Sequence, residues 1–168
     1  YCYSFQMTKQ LTTIEGGCIA SDDEELIDRC RRIKNYGRTK EQYVHDIIGT
    51  NWRTTDLASA IGLEQLKHID EVIERRKAVN RMYRAKLKGV SFPTYSSDQS
   101  PMFCFVIVND GKAAKVLNDL NKVGIDARRI WTPLPMQPCV TTNMRILWEN
   151  CPNAINIYEN TISLPISN

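Results

Sequence analysis

No stretch of this chain approaches the roughly 20 consecutive apolar residues that a membrane-spanning helix needs, so no membrane protein is expected. Net charge is only +3, too small to argue for a nucleic-acid partner by itself. The basic clusters at Arg29-Arg31-Arg32 and Arg75-Arg76-Lys77 fall on expected helices, where they read as solvated faces. No basic segment heads the sequence, so no secretory leader is visible. Histidine is scarce, with only His45 and His68. The six cysteines (Cys2, Cys18, Cys30, Cys104, Cys139 and Cys151) contain no C-x-x-C pair and have no histidine at zinc spacing, which argues against a structural zinc site. Their even number allows disulfides. However, Cys18 and Cys104 lie in apolar runs, as core thiols do, so a reduced cytoplasmic protein is the expectation. Internal repeats and low-complexity segments are absent.

What is present is ordinary globular material. The chain has 168 residues, 42% hydrophobic and 24% charged, enough for one or two small domains with a core. Tyr1 to Met7 alternates apolar and polar residues at strand period. After the Gly16-Gly17 turn, Cys18 to Ala20 reads as a second short strand. Ser21 and Glu24 have capping-box spacing, and the acidic run Asp22 to Glu25 suits the start of a helix rather than a metal site. Leu26, Ile27, Cys30 and Ile33 form one helical stripe that runs to about Asn35, with Gly37 as the stop. The loop from Arg38 to Gly49 carries His45, which has no second histidine beside it and reads as either exposed or facing a substrate.

Thr54-Thr55-Asp56 begins the next helix. Its stripe runs through Leu57, Ile61, Leu66, Ile69, Ile73, Met82 and Tyr83 to a stop at Gly89. At about 30 residues it is long enough to expect a kink. Val90 to Pro101, rich in Ser, Pro and Tyr, marks a boundary. Phe103 to Val108 is a buried strand, Asn109-Asp110-Gly111 a turn, Ala113 to Val123 a helix and Ile125 to Ile130 a strand. A proline-rich loop, a helix over Asn153 to Asn160 and a strand over Thr161 to Leu164 complete the chain. The β-α-β alternation places the fold in the α/β class. The expected divisions are residues 1–50, 51–89 and 90–168.

Lys9 is the residue with the clearest chemical potential. It follows a strand and precedes a Thr-Thr-Ile-Glu-Gly-Gly turn, a placement that can present an amine at a cleft edge. A partly desolvated lysine amine loses its proton more readily and becomes a nucleophile for Schiff-base chemistry. A loop lysine is ordinarily solvated, so position alone does not decide the matter.

A set of motifs does more. These are Ser4-Phe5-x-x-x-Lys9, Thr12-Thr13-x-Glu15-Gly16-Gly17, the SDDEEL run from Ser21, NYGR from Asn35, and GTNWRTTDLASAIGLEQL from Gly49 to Leu66. GIDARRIWTPLPMQP from Gly124 and Ser163-Leu164-Pro165 continue the pattern. Together they resemble the DegT/DnrJ/EryC1/StrS family of pyridoxal phosphate (PLP) dependent sugar aminotransferases. The resemblance implies the C-terminal part of a fold-type I aminotransferase: the end of a large PLP-binding domain (1–50), a connecting helical region (51–89) and a small α/β domain (90–168). In that family the lysine strand lies near mid-chain and a closing helix follows the last strand, so the sequence is expected to be an excerpt.

By the same resemblance, Lys9 is the Schiff-base lysine and moves a proton between the substrate carbon and the cofactor. Ser4 donates to the PLP phosphate, where on residue type alone a strand-edge serine is the simpler reading. Asn51 reaches the phosphate of a partner subunit's cofactor, which implies a homodimer with a shared site; its competing role is to cap the following helix. Arg128 and Trp131 belong to a substrate-facing loop, where one of the pair Arg128 and Arg129 meets a nucleotide diphosphate. Many relatives carry histidine where this chain has Pro135. Lys9 also argues against the dehydratase branch, in which histidine replaces the lysine. The carboxylate for the pyridine nitrogen and the ring-stacking residue lie upstream in the family and are not assigned.

The implied reaction moves an amino group, from glutamate as donor, to a keto carbon of a nucleotide-linked sugar, as in polysaccharide biosynthesis. The alternatives are a non-catalytic regulatory or binding protein on the same scaffold and, with only scattered basic helices behind it, a DNA-binding module.

Overall fold

The computed structural model describes residues 1–41, 43–96, 98–109, 111–140 and 151–166. The chain divides into two compact units, Tyr1–Glu71 and Val72–Asn168.

The first unit opens with a hairpin. Strand β1 (Cys2–Ser4) pairs antiparallel with β2 (Gly17–Ile19), Tyr3 opposite Cys18. The expected strand to Met7 stops at Ser4 because local bonds replace the ladder. The Gln6 side-chain oxygen accepts from both the N–H and the hydroxyl of Thr8, which folds the backbone into a turn. All six strand residues are exposed, so Cys18 is not the core thiol that its apolar neighbours suggest. A two-stranded ribbon has no second layer to bury it.

Helix α1 spans Glu24–Ile33. Its cap is Asp23, which accepts from Leu26 N–H at 2.9 Å, rather than the expected Ser21, which accepts instead from Asp23 N–H. Both are good capping types, and a carboxylate gains more from the helix dipole. Helix α2 (Asp56–Leu66) is capped by Thr55, whose hydroxyl accepts from Ala58 N–H. The long helix expected from Thr54 is in fact two. Lys67 and His68 close tight turns onto Glu64 and Gln65, and α3 (Ile69–Lys86) starts afresh.

The second unit is built on a four-stranded antiparallel sheet in the order β3 (Val90–Ser91), β4 (Cys104–Val108), β6 (Thr161–Leu164), β5 (Arg128–Arg129). Because β6 lies between β4 and β5, the expected β-α-β unit is split: its two strands run parallel but are not neighbours. Helices α4 (Ala113–Lys122) and α5 (Pro152–Asn160) accompany the sheet. Proline in the first turn of α5 costs no hydrogen bond.

Strand β4 alternates buried and half-buried positions instead of burying every residue. Cys104, Val106 and Val108 face a core completed by Ala113, Ala127, Ile162, Leu164 and Ile166, with Val79 and Tyr83 of α3 packed against it. A fully buried isoleucine such as Ile162 contributes about 2–3 kcal/mol. The Tyr83 hydroxyl donates to Pro165 O at 3.0 Å and anchors α3 to the sheet. Only Arg128 and Arg129 of the expected strand over Ile125 to Ile130 join the ladder, because Gly124 adopts φ +83° and Ala127 N–H turns back to Ile125 O. Asp110, in the expected turn after β4, lies outside the described residues.

Candidate active site

Lys9 stands in a loop whose base is tied at Phe5. Phe5 N–H donates to Gly16 O at 2.9 Å, and Phe5 O accepts from Thr13 N–H at 2.9 Å and from the Thr12 hydroxyl at 3.1 Å. Inside the loop, Lys9 N–H donates to Gln6 O at 2.9 Å. The backbone is therefore held on both sides of the lysine. The Lys9 side chain is half-buried, and its amine has no hydrogen-bond or ion-pair partner among the described residues. Ser4 ends β1, exposed. Its Oγ accepts a long 3.4 Å bond from Gln6 N–H, which leaves the hydroxyl hydrogen free to donate.

The far side of the loop is strained. Ile14 sits at φ 72°, a left-handed conformation that a β-branched residue seldom adopts. The Thr12 hydroxyl compensates by accepting from Ile14 N–H at 3.0 Å. Thr13 is buried and donates to Glu15 O at 2.6 Å. Its methyl faces α2, where a Cβ at Gly62 would come to 2.7 Å from Thr13 Cγ2. The small residue at Gly62 thus lets α2 support the loop base.

Asn51 belongs to a second tightly packed place in the same unit. Segments 33–38 and 47–52 run against each other through Tyr36 N to Thr50 O, Thr50 N to Ile33 O and Trp52 N to Lys34 O, at 2.9–3.0 Å. Gly37 and Gly49 make this possible. A Cβ on Gly37, which also needs φ +72°, would collide with Ile47 O, and one on Gly49 would collide with Gly37 N. Asn51 Oδ1 accepts from Arg53 N and Nε at 3.3 and 3.1 Å, and its amide NH₂ donates to nothing among the described residues. The alternative role as helix cap is excluded, because Thr55 fills it. His45 is exposed, and its Nδ1 lies 2.8 Å from Tyr36 O.

A cavity of about 1350 Å³ in the first unit does not coincide with these polar groups. Phe5, Ile27, Ile33, Trp52, Leu57 and Ile61 contribute to its walls, whereas Lys9, Ser4 and Asn51 are absent from them. Of the apolar stripe read from α1, Ile27, Cys30 and Ile33 line this space, and Leu26 does not.

The remaining candidates lie in the second unit. Arg128 is exposed and forms a two-point pair with Asp126, at 3.1 and 2.9 Å. The pairing lowers the Asp126 carboxyl below its ordinary range and raises the Arg128 guanidinium. Arg129 is instead bound to the protein itself. Its Nη1 donates to Tyr158 O at 3.0 Å and Glu159 O at 2.7 Å, the last carbonyls of α5, and its guanidinium lies over the Tyr158 ring. Trp131 is 66% exposed, held edgewise by Phe103 and Phe105 at centroid distances of 5.1 and 5.7 Å. Pro135 lies in a single 3-10 turn, Leu134–Met136.

Three supporting residues escaped sequence reasoning: Gln6 and Thr12, which shape the lysine loop, and Arg129, which caps α5. A Thr-Thr pair before Gly-Gly was a usable signal for the second, since threonine hydroxyls bond locally in turns. No sequence pattern announces a cap donated from 29 residues away.

Comparison with known proteins adds to this geometry. The model of the DegT/DnrJ/EryC1/StrS aminotransferase family matches residues 1–168. The chain is similar to GDP-perosamine synthase of Vibrio cholerae, 37% identical over 89 residues that cover 52% of this chain and 24% of that protein. It is also similar to dTDP-4-amino-4,6-dideoxy-D-glucose transaminase of Shigella dysenteriae, 32% identical over 139 residues that cover 78% of this chain and 38% of that one. Among solved structures, S. venezuelae DesV in complex with a ketimine intermediate superposes with a TM-score of 0.85 at 26% identity, over 99% of this chain and 46% of its own. The chain therefore spans about half or less of the length of the relatives it matches.

Proposed function

Since this chain belongs to the DegT/DnrJ/EryC1/StrS aminotransferase family, we propose that its protein is a PLP-dependent aminotransferase that carries an amino group from an amino acid, glutamate in our reading, to a keto carbon of a nucleotide-linked sugar. The observation that carries the proposal is the amine of the half-buried residue Lys9, unpartnered among the described residues, on a loop pinned at its base by Phe5. The donor set suits the cofactor. Lys9 offers an amine for an aldehyde carbon, and Ser4 offers a free hydroxyl hydrogen for a phosphate oxygen. Asn51 adds an unengaged amide NH₂ on a separate segment, and we assign it to the phosphate of a second subunit's cofactor in a homodimer.

When bound, PLP supplies the electron sink that makes amino-group transfer possible. The contributions of this chain are positional. Lys9 Nζ holds the cofactor and then carries a proton to and from the substrate carbon. Ser4 orients the phosphate end. We assign Arg128 and Trp131 to the substrate, as a guanidinium for a diphosphate and an exposed ring. The names of the relatives, one acting through a GDP-linked and one through a dTDP-linked sugar, support the substrate class. In this reading residues 1–50 end a large cofactor-binding domain, 51–89 connect and 90–168 form a small domain; the division between compact units at Glu71 falls within the connecting part. The enzyme works in the cytoplasm.

The test is direct. Full-length protein incubated with PLP should show a visible absorption band that borohydride removes, with the reduced label on the peptide containing Lys9. Lys9→Ala should lose the label, the transamination and the exchange of the donor α-proton. Label on another lysine, or a non-absorbing protein that still folds and binds nucleotide sugar, would replace this reading with a binding or regulatory role.

A further inference from the structure

In the second unit, a cleft of about 370 Å³ opens between α3 and residues 94–96 with Gln99 and Pro101. We propose that this cleft is a binding site for a phosphomonoester, built from none of the residues of the Lys9 loop and independent of the transaminase reading. Three cations line it from one face of α3: Lys77, Arg81 and Arg84, spaced four and three residues apart. Arg84 is fixed in place. Its Nε donates to Asn80 Oδ1 at 2.7 Å, its Nη2 donates to Pro93 O at 2.5 Å, and its plane lies over the rings of Phe92 and Tyr95, at 4.9 and 5.4 Å. Asn80 is 6% exposed, so the guanidinium is anchored from below by a buried side chain. Arg84 Nη1 has no partner among the described residues, and Arg81 is exposed with no partner there either.

The rest of the lining is donor-rich. Gln99 Oε1 is spent on Ser96 N–H at 2.9 Å, which leaves the Gln99 amide NH₂ to donate, and Tyr95 also lines the cleft. The acidic groups nearby are committed. Glu74 holds Lys77 at 3.2 Å, and the Ser96 side chain and the Lys77 charge hold the Asp98 carboxyl below its ordinary range. The two cations that remain unpaired are both guanidinium groups, which match the tetrahedral oxygens of a phosphate by forked bonds. A monovalent carboxylate would satisfy one of them, whereas a dianion satisfies both. The cleft is also roomier than a bare phosphate requires, so space remains beside Tyr95 and Pro101 for the group that the phosphate carries.

The experiment loads full-length protein with PLP, removes the unbound cofactor by gel filtration, and titrates it with inorganic phosphate and, separately, with glucose 6-phosphate, by calorimetry at two salt concentrations. PLP held on the Lys9 loop keeps that loop from answering for the cleft, and removal of the excess keeps the cofactor's own phosphate from filling it. We expect saturable binding that weakens with salt, tighter for the sugar phosphate than for the bare anion. Arg81→Gln should weaken both about tenfold, the effect of one charge-assisted bond, with the melting temperature unchanged because Arg81 is exposed and unpartnered. Gln99→Leu should weaken binding by a smaller factor. Binding of equal strength in wild type and Arg81→Gln overturns the proposal, and so does the absence of saturation up to tens of millimolar. Phosphate binding with no preference for the sugar phosphate would overturn the assignment to a phosphomonoester and leave an anion site only.

Discussion

Arg128 and Arg129 are adjacent arginines with opposite assignments, and substituting each in turn separates them. Arg129 gives two charge-assisted bonds to the final carbonyls of α5 and covers the Tyr158 ring. A hydrogen bond from a charged donor contributes about 1.5–3 kcal/mol, and a cation at a helix C-terminus about 0.3–1 kcal/mol. Both bonds come from one nitrogen and one of them is exposed, so their sum must be discounted; we expect Arg129→Ala to cost about 2 kcal/mol. Replacement also leaves two carbonyls at the junction of α5 and β6 without their partner. Native-state hydrogen exchange measures this locally, which matters for a chain of two units. Amides in residues 152–164 should exchange about 30-fold faster in Arg129→Ala, the factor that about 2 kcal/mol implies. Arg128→Ala breaks only an exposed pair with Asp126 and should leave the same amides within about twofold of wild type, while lowering kcat/KM in the full-length enzyme. Equal protection in the two variants, or protection in Arg129→Ala within threefold of wild type, would refute the cap.

Three further outcomes follow from the geometry. Ile14→Asn should stabilise the first unit by about 1 kcal/mol in urea denaturation, because asparagine tolerates the left-handed backbone that isoleucine holds under strain; a loss of stability would mean that the Ile14 side chain packs more than its exposure indicates. Gly49→Ala should cost about 3 kcal/mol or prevent folding, since the new methyl would fall on Gly37 N and Ile33 O; Gly89→Ala meets no neighbouring atom and carries only the strain of φ +70°, about 1 kcal/mol, so thermal melting of the two variants separates clash from backbone strain. Burial pushes the Cys104 thiol up to about 11 from the ordinary 9.0, so the folded chain keeps a proton that the unfolded chain loses above pH 9.0. Stability should therefore decline between pH 9 and 11, less steeply in Cys104→Ala, and the Cys104 thiol should stay unreactive toward a disulfide reagent at pH 8 while exposed Cys2, Cys18 and Cys139 react.

Elements with a strong local signature were legible in the sequence. The helix over α4 and the strand Thr161–Leu164 emerge from period and composition alone. The errors share a cause, which is competition between nearby groups of similar chemistry. Ser21 and Asp23 both qualify as caps, and only the backbone φ/ψ at Asp23 decides between them. The Tyr1 to Met7 alternation is real, yet a glutamine side chain diverts the chain into a turn after Ser4. The split of the long helix at Lys67-His68 has no glycine or proline to announce it.

The polar candidates show a sharper limit. Motif resemblance singled out Lys9, Ser4 and Asn51, but what makes them usable is invisible in the motif. Each sits in a segment held by backbone hydrogen bonds rather than by a packed core: the Phe5 ties around Lys9, and the crossing at Gly37 and Gly49 beside Asn51. Among the described residues, every buried apolar side chain belongs to the second unit. The first unit thus spends its glycines and threonines on fixing loops, and its apolar stripe lines an open cavity. This division explains why hydrophobic periodicity marks helices in both units, α1 and α4 among them, yet says nothing of the segments around Lys9 and Asn51. Periodicity reports repeating faces, and around those two residues the conformation is set by hydrogen bonds that have no period.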